Sequence, residues 1–437
     1  MRLTYKFRYY PRYPHLDQLR QLCYTSKNLY NQANYLINQE LQLTKKWLRY
    51  LELNRLLKAD SIHYRLLKAQ TAQQLLKVID KNWSSYFKAI RDWNHNPDKY
   101  RGKPNPPRYK PKAEPFLLIF TNQNSKIDTN KSKIILTMSK TFQAKYPDLK
   151  EPITIPIPKH HTRTINFVDY QQIRVLPRKK YFEIEVIYKV TGVNSALDTR
   201  AYLGIDFGLN NLITMVENQN KTPIIISGSI LKSINQGWNK QKAQLTSIKD
   251  KQKHKQFTAK LEEITRNRNM TITDYLHKTS RFIIDYCLHY KIGNICLGEL
   301  KDIKDGIQLG KKTNQNFVTI PFYRLKQMLK YKADLVGIKV YEVNEAYTSK
   351  CSALDLERIN KHKHYLGTRR NRGLFQSVNY LINADVNGAL NILRKVIGDG
   401  FIKNLVNRGC LWFQPARIRD LFQTSYKQFC VKSVNNL

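Results

Sequence analysis

The sequence predicts an α/β protein carrying additional all-β and helical parts, and three observations support this. Helical periodicity fills residues 16–92, short β runs occupy 115–192, and from Ala201 onward three strands precede alternating helices and strands. The last pattern is the order of an α/β layer fold. With 437 residues, the chain has room for two or three domains.

Each part follows from local patterning. In the first fifteen residues Leu3, Tyr5, Phe7 and Tyr9 alternate with Arg2, Thr4, Lys6 and Arg8, the period of a strand. One apolar helical stripe then runs through Leu19, Leu22, Cys23, Leu29, Tyr30, Ala33, Leu36 and Ile37, and a second through Ala72, Leu75, Leu76, Ile79, Trp83, Tyr86, Phe87 and Ile90. Residues 44–69 read as a less regular helix between them. The segment 93–112 holds five prolines among Lys and Arg, so it is an extended basic connector rather than a helix. Next come PFLLIF, KIILTM, ITIPIP, QIRVLP and KYFEIEVIYKV, strands of a small barrel or sandwich. Residues 1–15 and 113–195 therefore form one β unit, and 16–112 are a helical insertion within it. AYLGIDFG, NLITMVEN and TPIIISG open the α/β domain, assigned to 196–347 and 381–398. It continues with basic helices over 231–290, a strand at 294–300, a helix at 322–335, a strand at 338–344 and a final helix beginning in NADVNGALNILRKV. An irregular basic stretch, 348–380, interrupts it, and 399–437 has no assigned place.

Charge narrows the function. Lys and Arg number 75 against 33 Asp and Glu, a net +42, and self-repulsion on that scale asks for a polyanionic partner. With 41% hydrophobic and 11% aromatic residues the chain is not disordered. No apolar run approaches the roughly 18 residues of a membrane span, and MRLTYKFRYYPRY lacks the apolar core of a secretory signal. Cys23, Cys287, Cys296, Cys351, Cys410 and Cys430 form no CxxC pair, which suits reduced intracellular thiols better than a disulfide framework.

Three acidic residues stand out. Asp206 lies in the apolar strand LGIDFG, where a carboxylate is costly unless paired or metal-bound, and Gly204 and Gly208 leave room around it. Glu299 ends the apolar strand ICLGEL, and Asp385 begins the last helix. Taken singly, each has an ordinary alternative: Asp206 as a turn carboxylate, Glu299 as a surface residue at a strand end, Asp385 as a helix cap beside Asn383. Together on one face they would repel unless divalent cations neutralise them, and hard oxygen ligands suit Mg²⁺ or Mn²⁺. Two such ions about 4 Å apart would serve phosphodiester hydrolysis.

The blocks LGIDFGLNNLITM, NICLGELKDIK, EAYTSKCSALD and NADVNGALNILRK resemble the TnpB/OrfB proteins of insertion sequences, compact RNA-guided DNA nucleases related to type V CRISPR effectors. The similarity is strongest over residues 200–398. It implies an RNase H-like RuvC nuclease domain whose catalytic, metal-binding triad is Asp206, Glu299 and Asp385, with two Mg²⁺ or Mn²⁺ ions as cofactors. It also implies an N-terminal wedge β-barrel with an inserted helical recognition lobe. The partners implied are a guide RNA and target double-stranded DNA, in a transposon-encoded protein of the cytoplasm, associated with the nucleoid and not with a membrane; monomer and dimer both stay open. One departure is plain. The family carries a zinc ribbon with two CxxC pairs where this chain has 348–380, and there only Cys351 remains. Cys351, Asp355, His362 and His364 are irregularly spaced for zinc, so the expectation is a degenerate, zinc-free insertion whose Lys361, Lys363, Arg369, Arg370 and Arg372 contact a nucleic-acid backbone.

Residues 1–112 hold 23 Lys and Arg against seven Asp and Glu, suited to the phosphates of an RNA–DNA duplex. Tyr9, Tyr10, Tyr13, Trp47 and Tyr50 are candidates for stacking on unpaired bases. The alternatives to a nuclease are a guide-dependent DNA-binding protein that does not cut, a transposase that joins strands, and an actin-like ATPase or sugar kinase. The last needs a second phosphate hairpin, and GDGF at 398–401 lacks its pattern.

Overall fold

A computed structural model describes residues 1–158, 167, 169–193, 195–219, 221–253, 258–299, 320–371, 373–406, 415–426 and 428–429. Cys410, Cys430 and Arg372 lie outside the described residues. The chain divides into two compact units, Met1–Thr191 and Gly192–Leu437.

The first unit begins with β1 (Arg2–Tyr9), followed by helices α1 (His15–Thr44), α2 (Tyr50–Asp60), α3 (Ile62–Leu66) and α4 (Ala69–His95). After the connector come β2 (Leu118–Thr121), β3 (Ser125–Asp128), β4 (Lys133–Leu136), the short α5 (Lys140–Lys145), β5 (Ile153–Pro156), β6 (Tyr170–Pro177) and β7 (Phe182–Lys189). The first strand pairs antiparallel with the last, Tyr5 opposite Val186. Hydrogen bonding yields two sheets, β1-β7-β6-β2 and β3-β4-β5. Among the described residues this does not close a barrel, which requires every strand to have two partners. Both sheets and the helices share one core, in which Leu19, Tyr30, Leu76, Trp83, Ile134 and Ile184 are buried.

The stripes on α1 and α4 meet through Trp83, whose Nε1 donates to Asn34 Oδ1 at 2.9 Å. The expected connector is helical at its start, where α4 runs on to His95 and Pro97–Lys99 form a 3-10 turn; beyond that turn its extended, proline-broken backbone lies along α1 and is held by side chains of that helix. Asn34, Asn31 and Lys27 donate to the carbonyls of Pro107, Lys110 and Lys112. Of the aromatic residues considered for stacking, Tyr10 and Tyr13 are exposed, whereas Tyr9, Trp47 and Tyr50 pack against the core.

The second unit is built on a six-stranded sheet. Its strands are β8 (Asp198–Phe207), β9 (Asn211–Glu217), β10 (Ile224–Ser227), β11 (Ile292–Gly298) and β12 (Lys339–Val343), with β13 (Thr368–Asn371), β14 (Leu374–Gln376) and β15 (Leu381–Asn383) forming a small separate sheet, and β16 (Ala416–Ile418) returning to the main one. Helices α6 (Ser229–Lys251), α7 (Ala259–His289), α8 (Phe322–Leu335), α9 (Ala384–Ile397) and α10 (Gly400–Val406) accompany them. The strand order is β12-β11-β8-β9-β10-β16. β8, β9 and β10 form an antiparallel meander, while β11 lies parallel to both β8 and β12. The tail, which has no place in the sequence pattern, supplies β16 parallel to β10.

Side-chain alternation divides the main sheet into two faces. Ala201, Leu203, Ile205 and Phe207 of β8, with Ile295 and Leu297 of β11, belong to one core with α7 and α8. Cys296 and Val216 belong to the core of the opposite face, with Ala389, Leu390 and Leu393 of α9. Gly204 lets α9 approach this closely: a Cβ there would stand 2.6 Å from Leu393 Cγ and 2.7 Å from the Ala389 carbonyl oxygen. Among the described residues, no helix is long and apolar enough to cross a membrane.

Candidate active site

The carboxylates of Asp206 and Asp385 share the α9 face of the sheet. Asp206 is on β8, between the inward-facing Ile205 and Phe207, so alternation sends it toward α9. A Cβ at Gly388, one turn into that helix, would stand 3.2 Å from Asp206 Oδ2. Asp385 is in the first turn of α9. It is not the cap. Asn383 takes that role, its Oδ1 accepting from the backbone N–H groups of Asp385 and Val386 at 3.0 and 3.3 Å, which frees the Asp385 carboxylate. Asn211, at the start of β9, donates to Asp385 Oδ2 at 2.6 Å, and the Arg369 guanidinium stands 3.6 Å from Oδ1.

The electrostatics identify another participant. Burial holds the Asp206 carboxyl well above the usual carboxylate range, and the charges of Glu345 and then Asp385 push it further. The Phe207 backbone N–H and the Arg369 guanidinium oppose the shift less strongly. Glu345 follows β12 in the segment VNEAYTSK. Burial raises its own carboxyl to about 7, outweighing the ammonium groups of Lys326 and Lys395. Its Oε1 is enclosed and has no hydrogen-bond partner among the described residues. Glu345 opens the block EAYTSKCSALD, but the polar segment has no apolar periodicity, and the signal at Glu345 itself is an acidic residue just after a strand.

Glu299 occupies a different position. It extends the pairing of β11 with β12, its N–H donating to the Val343 carbonyl at 2.6 Å. Leu297 pairs with Ile205, so the next residue, Gly298, is level with Asp206 on the α9 face. Alternation then assigns Glu299 to the face of Ile295 and Leu297. The space beside Gly298 belongs to Glu345: a Cβ on that glycine would fall on the Glu345 carboxylate.

Among the described residues, no three His, Cys, Asp or Glu side chains are already gathered in the arrangement of a metal site. The donor chemistry nevertheless suits a hard divalent cation, with oxygen ligands only and one enclosed carboxylate oxygen without a partner among the described residues.

In the 348–380 insertion, the candidate zinc ligands have other contacts. The buried Cys351 Sγ is 3.5 Å from both the Arg358 and Asn360 carbonyl oxygens. Asp355 Oδ2 accepts from Ser352 Oγ and the Val378 N–H, His362 Nε2 meets the Arg358 carbonyl, and His364 is exposed. Asn387 and Asn391 of α9 fasten the start of this insertion by donating to the Cys351 and Thr348 carbonyls.

This is a mixed α/β protein: a central sheet covered by helices on both faces, with carboxylates where a strand and a helix start meet. Residues 185–304 match the family OrfB_IS605, described as "Probable transposase", and residues 322–392 match "Cas12f1-like, TNB domain". The CRISPR-associated endodeoxyribonuclease Cas12f1 of Sulfoacidibacillus thermotolerans is 34% identical over 119 residues, 26% of this chain and 25% of that protein. The TnpB-like protein ORF457 of Acidianus two-tailed virus is 24% identical over 412 residues, 87% of this chain and 84% of that one. The chain thus spans a quarter of the first relative's length and most of the second's. In three dimensions it is similar to Cas12f1 in the cryo-EM structure of a Cas12f1–sgRNA–target DNA complex, with a TM-score of 0.58 at 16% identity over 86% of this chain and 82% of that one. In sequence the chain is thus similar to a TnpB-like protein along most of its length and to Cas12f1 over a shorter stretch.

Proposed function

We propose that the protein is an RNA-guided DNA endonuclease that hydrolyses phosphodiester bonds of target DNA with Mg²⁺ or Mn²⁺. The observation that carries this is the pairing of Asp206 and Asp385 on one face of the main sheet, in a chain with the fold of Cas12f1. In this reading, residues 196–347 and 381–398 are an RNase H-like RuvC domain. Residues 1–15 with 113–195 are a wedge domain, and 16–112 are a helical recognition lobe.

Asp206 and Asp385 would hold the metal, which would supply water activation and stabilisation of the leaving oxygen when bound. The surrounding residues orient these ligands. Asn211 and Arg369 occupy the two oxygens of Asp385 from different sides, fixing its rotation. The first turn of α9 adds a positive field near both acids. A guide RNA and double-stranded DNA are the polyanions that the +42 charge would neutralise through phosphate contacts. The test is target cleavage by the purified ribonucleoprotein with Mg²⁺: Asp206→Ala should abolish cutting and leave RNA binding nearly unchanged. Cutting at the normal rate by that variant would refute the assignment. A guide-dependent DNA-binding protein without cleavage is the second reading, favoured by the alternation that takes Glu299 off the face of Asp206. Intact target DNA after incubation of the wild-type complex with Mg²⁺ would select it.

A further inference from the structure

We propose that the third carboxylate of the metal centre is Glu345, reaching in from the loop after β12 to fill the space over Gly298, and that Glu299 is not a ligand. This rests on the nuclease reading above and specifies which residues complete its site.

Three observations support it. The first is steric. Gly298 is level with Asp206 on the α9 face, and the volume a side chain there would enter already holds the Glu345 carboxylate. A glycine at this point is what admits a carboxylate from another segment. The second is the unfilled hydrogen-bonding capacity of Glu345, since its Oε1 is enclosed with no partner among the described residues. A buried acceptor left so is costly unless something else satisfies it, and a cation shared with Asp206 and Asp385 would do so.

The third observation is how firmly α9, the helix bearing Asp385, holds the backbone around Glu345. Lys395 donates to the carbonyls on either side of it, those of Asn344 and Ala346, at 2.7 and 2.8 Å. Thr348 Oγ1 donates to the Glu345 carbonyl at 2.8 Å, and Asn391 of α9 in turn binds the Thr348 carbonyl. Asp385 and Glu345 are therefore positioned by one rigid helix, as a preorganised ligand set requires. Lys395 acts through the backbone and is a positioning residue.

The test is Mn²⁺ binding to the RNA-free full-length chain, followed by calorimetry and by the electron paramagnetic resonance of free Mn²⁺, with cleavage by the guide-loaded protein as a second readout. Glu345→Gln should weaken Mn²⁺ binding at least about tenfold, as Asp206→Asn does, since even the residues that merely orient ligands are worth about 10–100-fold. Glu299→Gln should stay within about twofold of wild type. In the double variant Gly298→Glu/Glu345→Ala, a carboxylate returns to the same space from β11, and binding should recover most of the loss seen in Glu345→Ala. Melting temperatures of the metal-free variants check that each is folded. Weakening by Glu299→Gln with none from Glu345→Gln overturns the proposal and leaves the nuclease reading standing. If Asp206→Asn also leaves Mn²⁺ binding unchanged, the metal centre itself is wrong and the proposal falls with it.

Discussion

Gly204→Ala isolates the close approach of α9 to β8 on which the site depends. The added methyl would stand 2.6 Å from Leu393 Cγ and 2.7 Å from the Ala389 carbonyl oxygen, where ordinary contacts begin at 3.4 Å. Leu393 can change rotamer, but the Ala389 oxygen belongs to the backbone of a helix and cannot retreat alone. The helix must therefore move by about 0.7 Å. Overpacking of this kind costs about 1–3 kcal/mol, offset by the roughly 0.4–1 kcal/mol that alanine gains by restricting the unfolded chain, so a net loss of about 1–2 kcal/mol is expected. Because α9 carries Asp385 and clamps the loop of Glu345, the same shift misplaces both acids relative to Asp206. An error of about 1 Å in a catalytic constellation can cost on the order of 100-fold in rate. Thermal unfolding of the metal-free protein and target cleavage by the guide-loaded protein measure the two effects. Gly237→Ala is the control: that glycine sits inside α6 with open space around its would-be Cβ, so alanine there should stabilise by up to about 1 kcal/mol. A Gly204→Ala protein that melts with wild type and cuts at full rate would refute the packing argument.

Two further outcomes follow from single side chains. Asn211→Ala removes the donor at Asp385 Oδ2; a hydrogen bond to a charged group is worth about 1.5–3 kcal/mol, so Mn²⁺ affinity should fall as Asp385 loses its orientation, with little change in guide RNA binding. Unchanged affinity in the titration would count against an orienting role. Lys332 tests pH dependence. Burial and the nearby Arg281 lower its ammonium to about 8 from 10.5, against the pull of Asp285. Between those values the unfolded chain binds more protons than the folded one, so stability rises with pH from 8 to 10.5, and below 8 the penalty is constant at no more than about 3 kcal/mol. Lys332→Met, despite losing hydrogen bonds to His277 O and Ser280 Oγ, should melt higher than wild type at pH 7, and the gain should vanish by about pH 10. Equal differences at both pH values, measured by scanning calorimetry, would contradict this.

Much of the chain's design is local and legible. Alternation in the first residues marks β1, though its partner is β7 at the far end of the first unit. The stripes on α1 and α4 mark the faces that bury Leu19, Ala33, Leu76 and Trp83. Prolines mark the connector. Asp206 is conspicuous because a carboxylate inside an apolar strand demands a reason, and Asp385 because it opens a helix. Both depend on chemistry visible within a few residues.

The third acid is different, and so is the path of the tail. β11 is a central strand covered on both faces, so Ile295, Cys296 and Leu297 are all apolar, and a run apolar on both sides carries no phase. Nothing in ICLGEL says whether the glycine or the glutamate shares the face of Asp206, because a shift of one residue reverses every assignment. That phase is set by the pairing of Leu297 with Ile205. Glu345 lies in a polar loop with no periodicity, and it reaches the other acids only because Lys395 and Asn391, some fifty residues on, bind its neighbours' carbonyls. By itself the amino-acid sequence determined the kinds of element, singled out Asp206 and Asp385, and set the +42 charge that calls for a polyanionic counterpart, since those follow from short-range patterning and net charge. Tertiary structure alone decided which carboxylate stands beside Gly298 on the face of Asp206, because register between strands and anchoring of loops are contacts between residues far apart in the chain.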